Sequence, residues 1–237
     1  MIRAVLFDFG GTLYDYRCLA AAEAESLQEL THWSGLEAAL PQIVAAQRES
    51  MRQVFRQYLP QSHYLHRDLF RDAVVGMLRK LGAQPDPVLL ERYREAQWQR
   101  HARDFVLRPG VEATLDELRR RGLHIGMVSN IDDDQLEHLL AVAGIRERFD
   151  AVLSSERAGS CKPDPQIYRQ ALASAGCDPA EALFVGDTLL QDIAGANRVG
   201  LRSVLLWHRE DRERPDTGEV QPHHVIGAIP ELLTLLD

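Results

Sequence analysis

From residue 106 onward the chain alternates short β-rich apolar runs with helical stretches of about ten residues, and this alternation restricts it to a parallel sheet covered by helices. Parallel strands need crossovers and are buried on both faces, so they read as continuous apolar runs. Strands are expected over residues 124–128, 149–153, 182–185 and 203–206. Helices are expected over 110–121, 132–142, 165–175, 191–199 and 229–236. Gly122, Gly144, Gly176 and Gly200 stand where left-handed residues end helices. Asp132, Asp133 and Asp134 supply a cap and an acidic first turn for the second helix. The polar stretch 209–221 reads as a surface loop.

Residues 3–8 form one more apolar run, which ends on Asp8 and is broken by Gly10-Gly11-Thr12. The pattern then changes. From about residue 16 to 103, apolar residues recur at helical spacing, as in Leu69, Ala73, Val74, Met77 and Leu78. Breaks at Gly35, Pro41, Pro60 and around Gly82 divide this block into four or five helices. The expected architecture is therefore α/β: a doubly wound parallel sheet formed by residues 1–15 and 105–237, with an α-helical cap over 16–104 inserted after the first strand.

Composition narrows the function. No apolar run approaches the ~18 residues of a membrane span, and the N-terminal run is too short for a signal peptide. A cytoplasmic protein with no membrane partner is expected. The net charge of −8 argues against binding nucleic acid through its phosphates. Cys18, Cys161 and Cys177 are too scattered for a disulfide framework or a zinc site. Of 27 basic residues only Lys80 and Lys162 are lysines. Oligomeric state is not readable from the chain.

Open parallel sheets bind ligands beyond the carboxyl ends of their strands. Asp8 and Gly10-Gly11-Thr12 follow the first strand, and Ser129-Asn130 the second. The third leads to Lys162-Pro163-Asp164-Pro165, and the fourth to Gly186-Asp187 and Asp192. Taken singly, Asp8, Asp187 and Asp192 could be helix caps, Ser129 a turn residue and Lys162 a solvated loop residue. Four polar clusters on four consecutive strand ends point instead to one site.

These same residues resemble the motifs of the haloacid dehalogenase superfamily. Phe7-Asp8-Phe9-Gly10-Gly11-Thr12-Leu13 is similar to its first motif, Val128-Ser129-Asn130 to its second, Lys162 to its third and Gly186 through Asp192 to its fourth. The helical insertion lies where one subfamily carries its cap. The resemblance implies a magnesium-dependent phosphatase acting on a small phosphorylated substrate. Asp8 would be the nucleophile, forming an aspartyl-phosphate. Asp8, the Gly10 carbonyl and Asp187 would hold Mg²⁺, with Asp192 ligating or orienting. Lys162 would let Asp8 and phosphate coexist. Ser129, Thr12 and the amides around Gly11 and Asn130 would hold phosphoryl oxygens.

The resemblance breaks at Gly10, where the superfamily's phosphatases carry a second aspartate as general acid and base. Four explanations are open: a leaving group that needs little protonation, another acid such as Asp15 or a cap residue, chemistry other than ester hydrolysis, or a weak or inactive ligand-binding relative. A phosphonatase would need a cap lysine, and Lys80 is the only one; its place near a helix end suits a solvated residue better. Dehalogenases of the superfamily need no metal, which fits poorly with Asp187 and Asp192. The cap carries Arg52, Arg56, His63, His66, Arg67, Arg71, Arg100, His101 and Arg103. Most are expected to be solvated and paired with acids such as Asp68, Asp72, Glu91 and Glu95. Closure of the cap would gate water and set specificity.

Overall fold

A computed structural model of the protein describes residues 1–207 and 218–236. The chain divides into two compact units, Met1–Asp15 with Val106–Asp237, and Tyr16–Phe105. Of the stretch expected to be a surface loop, residues 209–217 lie outside the described residues.

The chain lays down β1 (Ala4–Phe7) and then the helical unit: α1 (Ala20–Trp33), α2 (Leu40–Tyr58), α3 (His66–Lys80) and α4 (Pro87–Asp104). In that unit α2 packs on α3 and α1 on α4. Leu27 and Leu30, Ile43, Val74, Met77 and Leu78, and Tyr93 form the shared core. Asp86 caps α4 by accepting from the Val88 amide at 2.8 Å, and Pro87 fills the first helical position, where no amide is needed. The basic residues are largely paired within the unit. Arg71 meets Asp68 at 3.0 Å, Arg100 meets Glu25 at 3.0 Å and Glu29, and Lys80 meets Glu49 at 2.7 Å. Lys80 thus ends α3 with its ammonium on a carboxylate of α2. No helix among the described residues is long and apolar enough to cross a membrane.

In the other unit the chain continues through α5 (Val111–Arg120), β2 (His124–Ser129), α6 (Asp133–Ala143), β3 (Ala151–Ser154), α7 (Ser155–Ala158), α8 (Pro165–Ala175) and β4 (Ala182–Gly186). A π-helical turn over Leu189–Ala194 then runs into α9 (Gly195–Arg198), followed by β5 (Arg202–Leu206), β6 (His224–Ile226) and a closing 3₁₀ segment, Ile229–Leu235. The six strands are all parallel, in the order β3-β2-β1-β4-β5-β6. Ala4, Leu6, Phe184, Ile167, Tyr168 and Leu172 lie in one buried cluster between the sheet and α8.

Four features differ from the sequence expectation. The edge strand β6 and the four-residue α7 are too short to show a period in sequence. The closing segment coils as 3₁₀ rather than α. The helix expected from Gln191 begins at Leu189 as a π turn, because the Asp192 side chain folds back onto Thr188 and the Tyr168 hydroxyl takes the Gln191 carbonyl.

The strand order places the site. β1 is paired on one side with β2 and on the other with β4. Successive strands step outward from β1 to β3, and the chain then crosses back to β4. The reversal leaves a crevice at the carboxyl ends of β1 and β4, where ligands bind in such sheets. Asp8 lies one residue past β1, with its amide on the Val185 carbonyl at 2.8 Å, level with the start of the Gly186-Asp187 turn.

Candidate active site

Three carboxylates and one ammonium meet at that crevice. The Lys162 ammonium lies 2.5 Å from Asp8 Oδ1 and 2.7 Å from Asp192 Oδ1. Lys162 is 3% exposed, Asp8 5% and Asp192 1%, so these charges are held away from water. Among the described residues, oxygens of Asp8, Asp187 and Asp192 lie within 4.8 Å of one another, a grouping that could hold a metal ion.

Each side chain is set by its element. The Thr12 hydroxyl donates to Asp8 Oδ2 at 3.0 Å and reaches Asp187 Oδ1 at 3.5 Å. Gly11 has φ +86°, and a Cβ there would collide with the Asp187 carboxylate. The left-handed turn thus lets the loop after β1 run against the loop after β4. Gly186 has the same role for Asp192, whose side chain fills the space a Cβ would take. Asp192 Oδ2 accepts from the Thr188 amide at 2.9 Å and from its hydroxyl at 2.6 Å. Both oxygens of Asp192 are therefore engaged by protein donors.

Lys162 sits in the loop between α7 and α8, which is held at several points. The Asn130 side chain clamps its backbone: Oδ1 accepts from the Lys162 amide at 2.7 Å and Nδ2 donates to its carbonyl at 3.0 Å. The Lys162–Pro163 peptide is cis. Asp164 caps α8 through the Gln166 amide at 2.9 Å and accepts from Ser160 at 3.0 Å. The loop carrying Asn130 is tied to α7 in turn, with the Ile131 amide donating to Ser155 Oγ at 3.1 Å and the Asp133 amide to Glu156 at 2.8 Å. Ser129, 4% exposed, ends β2 opposite Ser154.

The electrostatics follow from burial and crowding. Burial pushes the Asp8 carboxyl up to about 6, against the pull of Lys162. Burial, then the charges of Asp8 and Asp192, push Asp187 up to about 7. Burial also works against the Lys162 charge, but the Asp192 and Asp8 carboxylates outweigh it and hold the ammonium above its ordinary range. Three carboxylates against one ammonium leave an excess of negative charge, which suits a hard divalent cation with oxygen ligands.

Sequence reasoning missed three parts of this arrangement. The Asn130 side chain grips the Lys162 backbone, a role that the expectation for its amide did not include. Thr188 had no expected role. Arg108 donates twice to the Gly11 carbonyl, at 2.7 and 3.2 Å, and meets Asp15 at 3.3 Å. Asp15, one of the acids expected to stand in at Gly10, is thus ion-paired. No local signal marks Arg108, which lies 93 positions from Asp15.

Comparison with known proteins places this chain in a family. Residues 2–200 match the profile of the haloacid dehalogenase-like hydrolases. A glyceraldehyde 3-phosphate phosphatase of Methanopyrus kandleri is 33% identical, over 98% of this chain and 99% of its own length. A ribulose-1,5-bisphosphate 5-phosphatase of Halopiger xanaduensis is 31% identical over the full length of both. Among solved structures, magnesium-bound YfnB from Bacillus subtilis shares the fold with a TM-score of 0.80, covering 100% of this chain and 99% of that one at 21% identity. The L-2-haloacid dehalogenase of Xanthobacter autotrophicus superposes with a TM-score of 0.76 at 25% identity, over 100% and 98%. With the family pattern running from the first strand to Gly200 and relatives above 30% identity along the whole chain, this protein belongs to the haloacid dehalogenase-like hydrolases and is an enzyme of that class.

Proposed function

We propose that the enzyme is a magnesium-dependent phosphatase that acts on a small phosphorylated metabolite in the cytoplasm, through an aspartyl-phosphate on Asp8. The observation that carries this reading is the buried Asp8–Lys162–Asp192 array with Asp187 beside it. A lone carboxylate nucleophile would repel a phosphate dianion. Here Lys162 supplies one compensating charge, and the remaining carboxylates call for a second. The names of the full-length relatives, both sugar- or triose-phosphate phosphatases, support the same class of substrate.

Asp8, Asp187 and the Gly10 carbonyl would hold Mg²⁺, with Asp192 fixing Lys162 and the Thr188 turn from behind. When bound, the ion would neutralise phosphoryl oxygens and align the phosphorus with Asp8. The chain's own residues do the rest. Lys162 keeps Asp8 ionised and oriented, and Thr12 holds the other Asp8 oxygen. Ser129, with the amides around Gly11 and Asn130, offers donors to the transferred group. Asn130 positions Lys162 through its side chain. No nucleic-acid or membrane partner is part of this reading.

The test is phosphate release from a panel of phosphorylated metabolites, with Mg²⁺ and with chelator, in wild type and Asp8→Asn. Magnesium-dependent release that is lost in Asp8→Asn is expected. Halide release from a 2-haloacid without metal, and no phosphate release, would replace this reading with the dehalogenase one.

A further inference from the structure

The turn after β1 is gripped by a residue on the chain's return path. Arg108 lies three residues before α5, on the segment that brings the chain back from the helical insertion. Its amide donates to the Leu13 carbonyl at 2.8 Å, and Leu107 beside it pairs with Tyr14 in an antiparallel bridge. Its side chain is only 13% exposed, and its guanidinium donates to the Gly11 carbonyl through Nη2 at 2.7 Å and Nε at 3.2 Å. Nη1 meets Asp15 at 3.3 Å. The base of this arm is fixed as well. Gly110, two residues on, has φ +79° and caps α5 where a Cβ would strike Pro230 of the closing segment.

What Arg108 holds is the part of the turn that meets the carboxylates. The Leu13 amide closes the turn on the Phe9 carbonyl at 2.8 Å. Within it, Thr12 donates its hydroxyl to Asp8 at 3.0 Å, and Gly11 lies against the Asp187 carboxylate. A trans peptide is planar, with its carbonyl and its amide on opposite edges. Holding the Gly11 carbonyl on Arg108 therefore sets the direction of the Thr12 amide, which is turned away from the guanidinium. Donation to that carbonyl also polarises the peptide and makes the amide a stronger donor. A guanidinium suits the task, because one rigid edge brings two N–H groups to the same oxygen and the charge is permanent. Resting on the phosphatase reading, we infer that Arg108 is a positioning residue of the site: through the Gly11 carbonyl it fixes and polarises the peptide whose Thr12 amide holds the transferred phosphoryl group, and it keeps the turn seated against Asp187. Arg108 acts through the turn and touches neither substrate nor ion. The ion pair with Asp15, whose side chain is 26% exposed, steadies the guanidinium and is secondary.

The experiment compares wild type with Arg108→Met, Arg108→Lys and Asp15→Asn. Kinetics use p-nitrophenyl phosphate with Mg²⁺, binding uses inorganic phosphate with Mg²⁺ in a calorimeter, and thermal melts report stability. Misplacing a positioned group by an ångström costs on the order of 10²-fold, so folded Arg108→Met should lose about 10–10² in kcat/KM. Its KM should rise, and it should bind inorganic phosphate more weakly. Arg108→Lys keeps the charge but not the paired donors, and should recover melting temperature more than kcat/KM. Asp15→Asn leaves the grip on Gly11 and an acceptor for Nη1, and should keep KM near the wild-type value. If Arg108→Met fails to fold, Arg108→Lys decides. Wild-type KM and phosphate affinity in the deciding variant would overturn the inference and leave the phosphatase reading standing. An equal rise of KM in Asp15→Asn would assign the effect to the ion pair and overturn it too. Absence of phosphate release by wild type, from this ester and from the metabolite panel alike, would remove the phosphatase reading itself, before any variant is compared.

Discussion

Replacing Lys162 by methionine leaves Asp8 and Asp192 facing each other without the cation they share. Both are almost fully buried, and Nζ lies 2.5 and 2.7 Å from their oxygens. Removing one partner from a buried pair costs about 3–5 kcal/mol, because the remaining charge is left uncompensated. In a chain of 237 residues each kcal/mol lowers the melting temperature by about 2–4 °C, so a fall of roughly 6–20 °C is expected at alkaline pH. The loss should depend on pH with a definite sign. Burial already raises Asp8 to about 6 with the lysine in place, and removing the ammonium raises it further. A carboxyl whose folded value lies above its unfolded one favours the native state at low pH, and this advantage disappears as pH rises through the folded value. The deficit of Lys162→Met should therefore be small near about pH 5 and largest near about pH 8. Circular dichroism melts of both proteins, with chelator present, measure it. Equal melting temperatures at alkaline pH, or a deficit that grows on acidification, would refute the picture of Lys162 as a buried counter-ion.

Gly11→Ala should lose most magnesium-dependent activity while the protein stays folded. The left-handed conformation costs a non-glycine residue about 1–2 kcal/mol, and the added Cβ displaces the Asp187 carboxylate; thermal shift with and without Mg²⁺ would show the ion's stabilisation gone. In metal-free wild type, the raised values of Asp8 and Asp187, about 6 and about 7, predict that stability from these groups declines as pH rises through that window. Magnesium affinity should move the opposite way, because the ion needs the ionised carboxylates, and isothermal titration across the same window checks it. A magnesium affinity that held constant down to about pH 5 would count against these carboxylates as ligands. Arg108→Met removes three hydrogen bonds, to Gly11 and Asp15. Charge-assisted bonds contribute roughly 1.5–3 kcal/mol each, and with partial exposure of Asp15 the net loss should be about 2–3 kcal/mol in urea unfolding, with a raised KM for substrate.

Much of the site could be read from the chain because of one property of parallel sheets: every strand delivers its carboxyl end to the same edge. A residue that follows a strand is therefore placed near all the others that do so, whatever the strand order. That is why Asp8, Ser129, Asp187 and Lys162 could be grouped without coordinates. The boundary of the helical insertion was equally visible, since the hydrophobic period changes near residue 16 and again near 105. The sequence by itself thus determined the parallel α/β architecture, the inserted helices and the set of residues at the strand ends, all of which depend on local periodicity.

Tertiary structure alone decided how those residues are joined. That β4 lies beside β1 is a matter of pairing across a long crossover, and it puts Asp187 against Gly11. Asn130 grips a lysine 32 positions away, and Arg108 reaches back 97 positions to Gly11. Such bonds depend on the path of the backbone between the partners, which no local pattern encodes. The π turn at Leu189 arises because Asp192, Thr188 and Tyr168 satisfy one another's polar groups in a buried corner. The physical reason for the division is range. Periodicity and capping act over a few residues, whereas buried polar groups must find partners wherever the fold brings them.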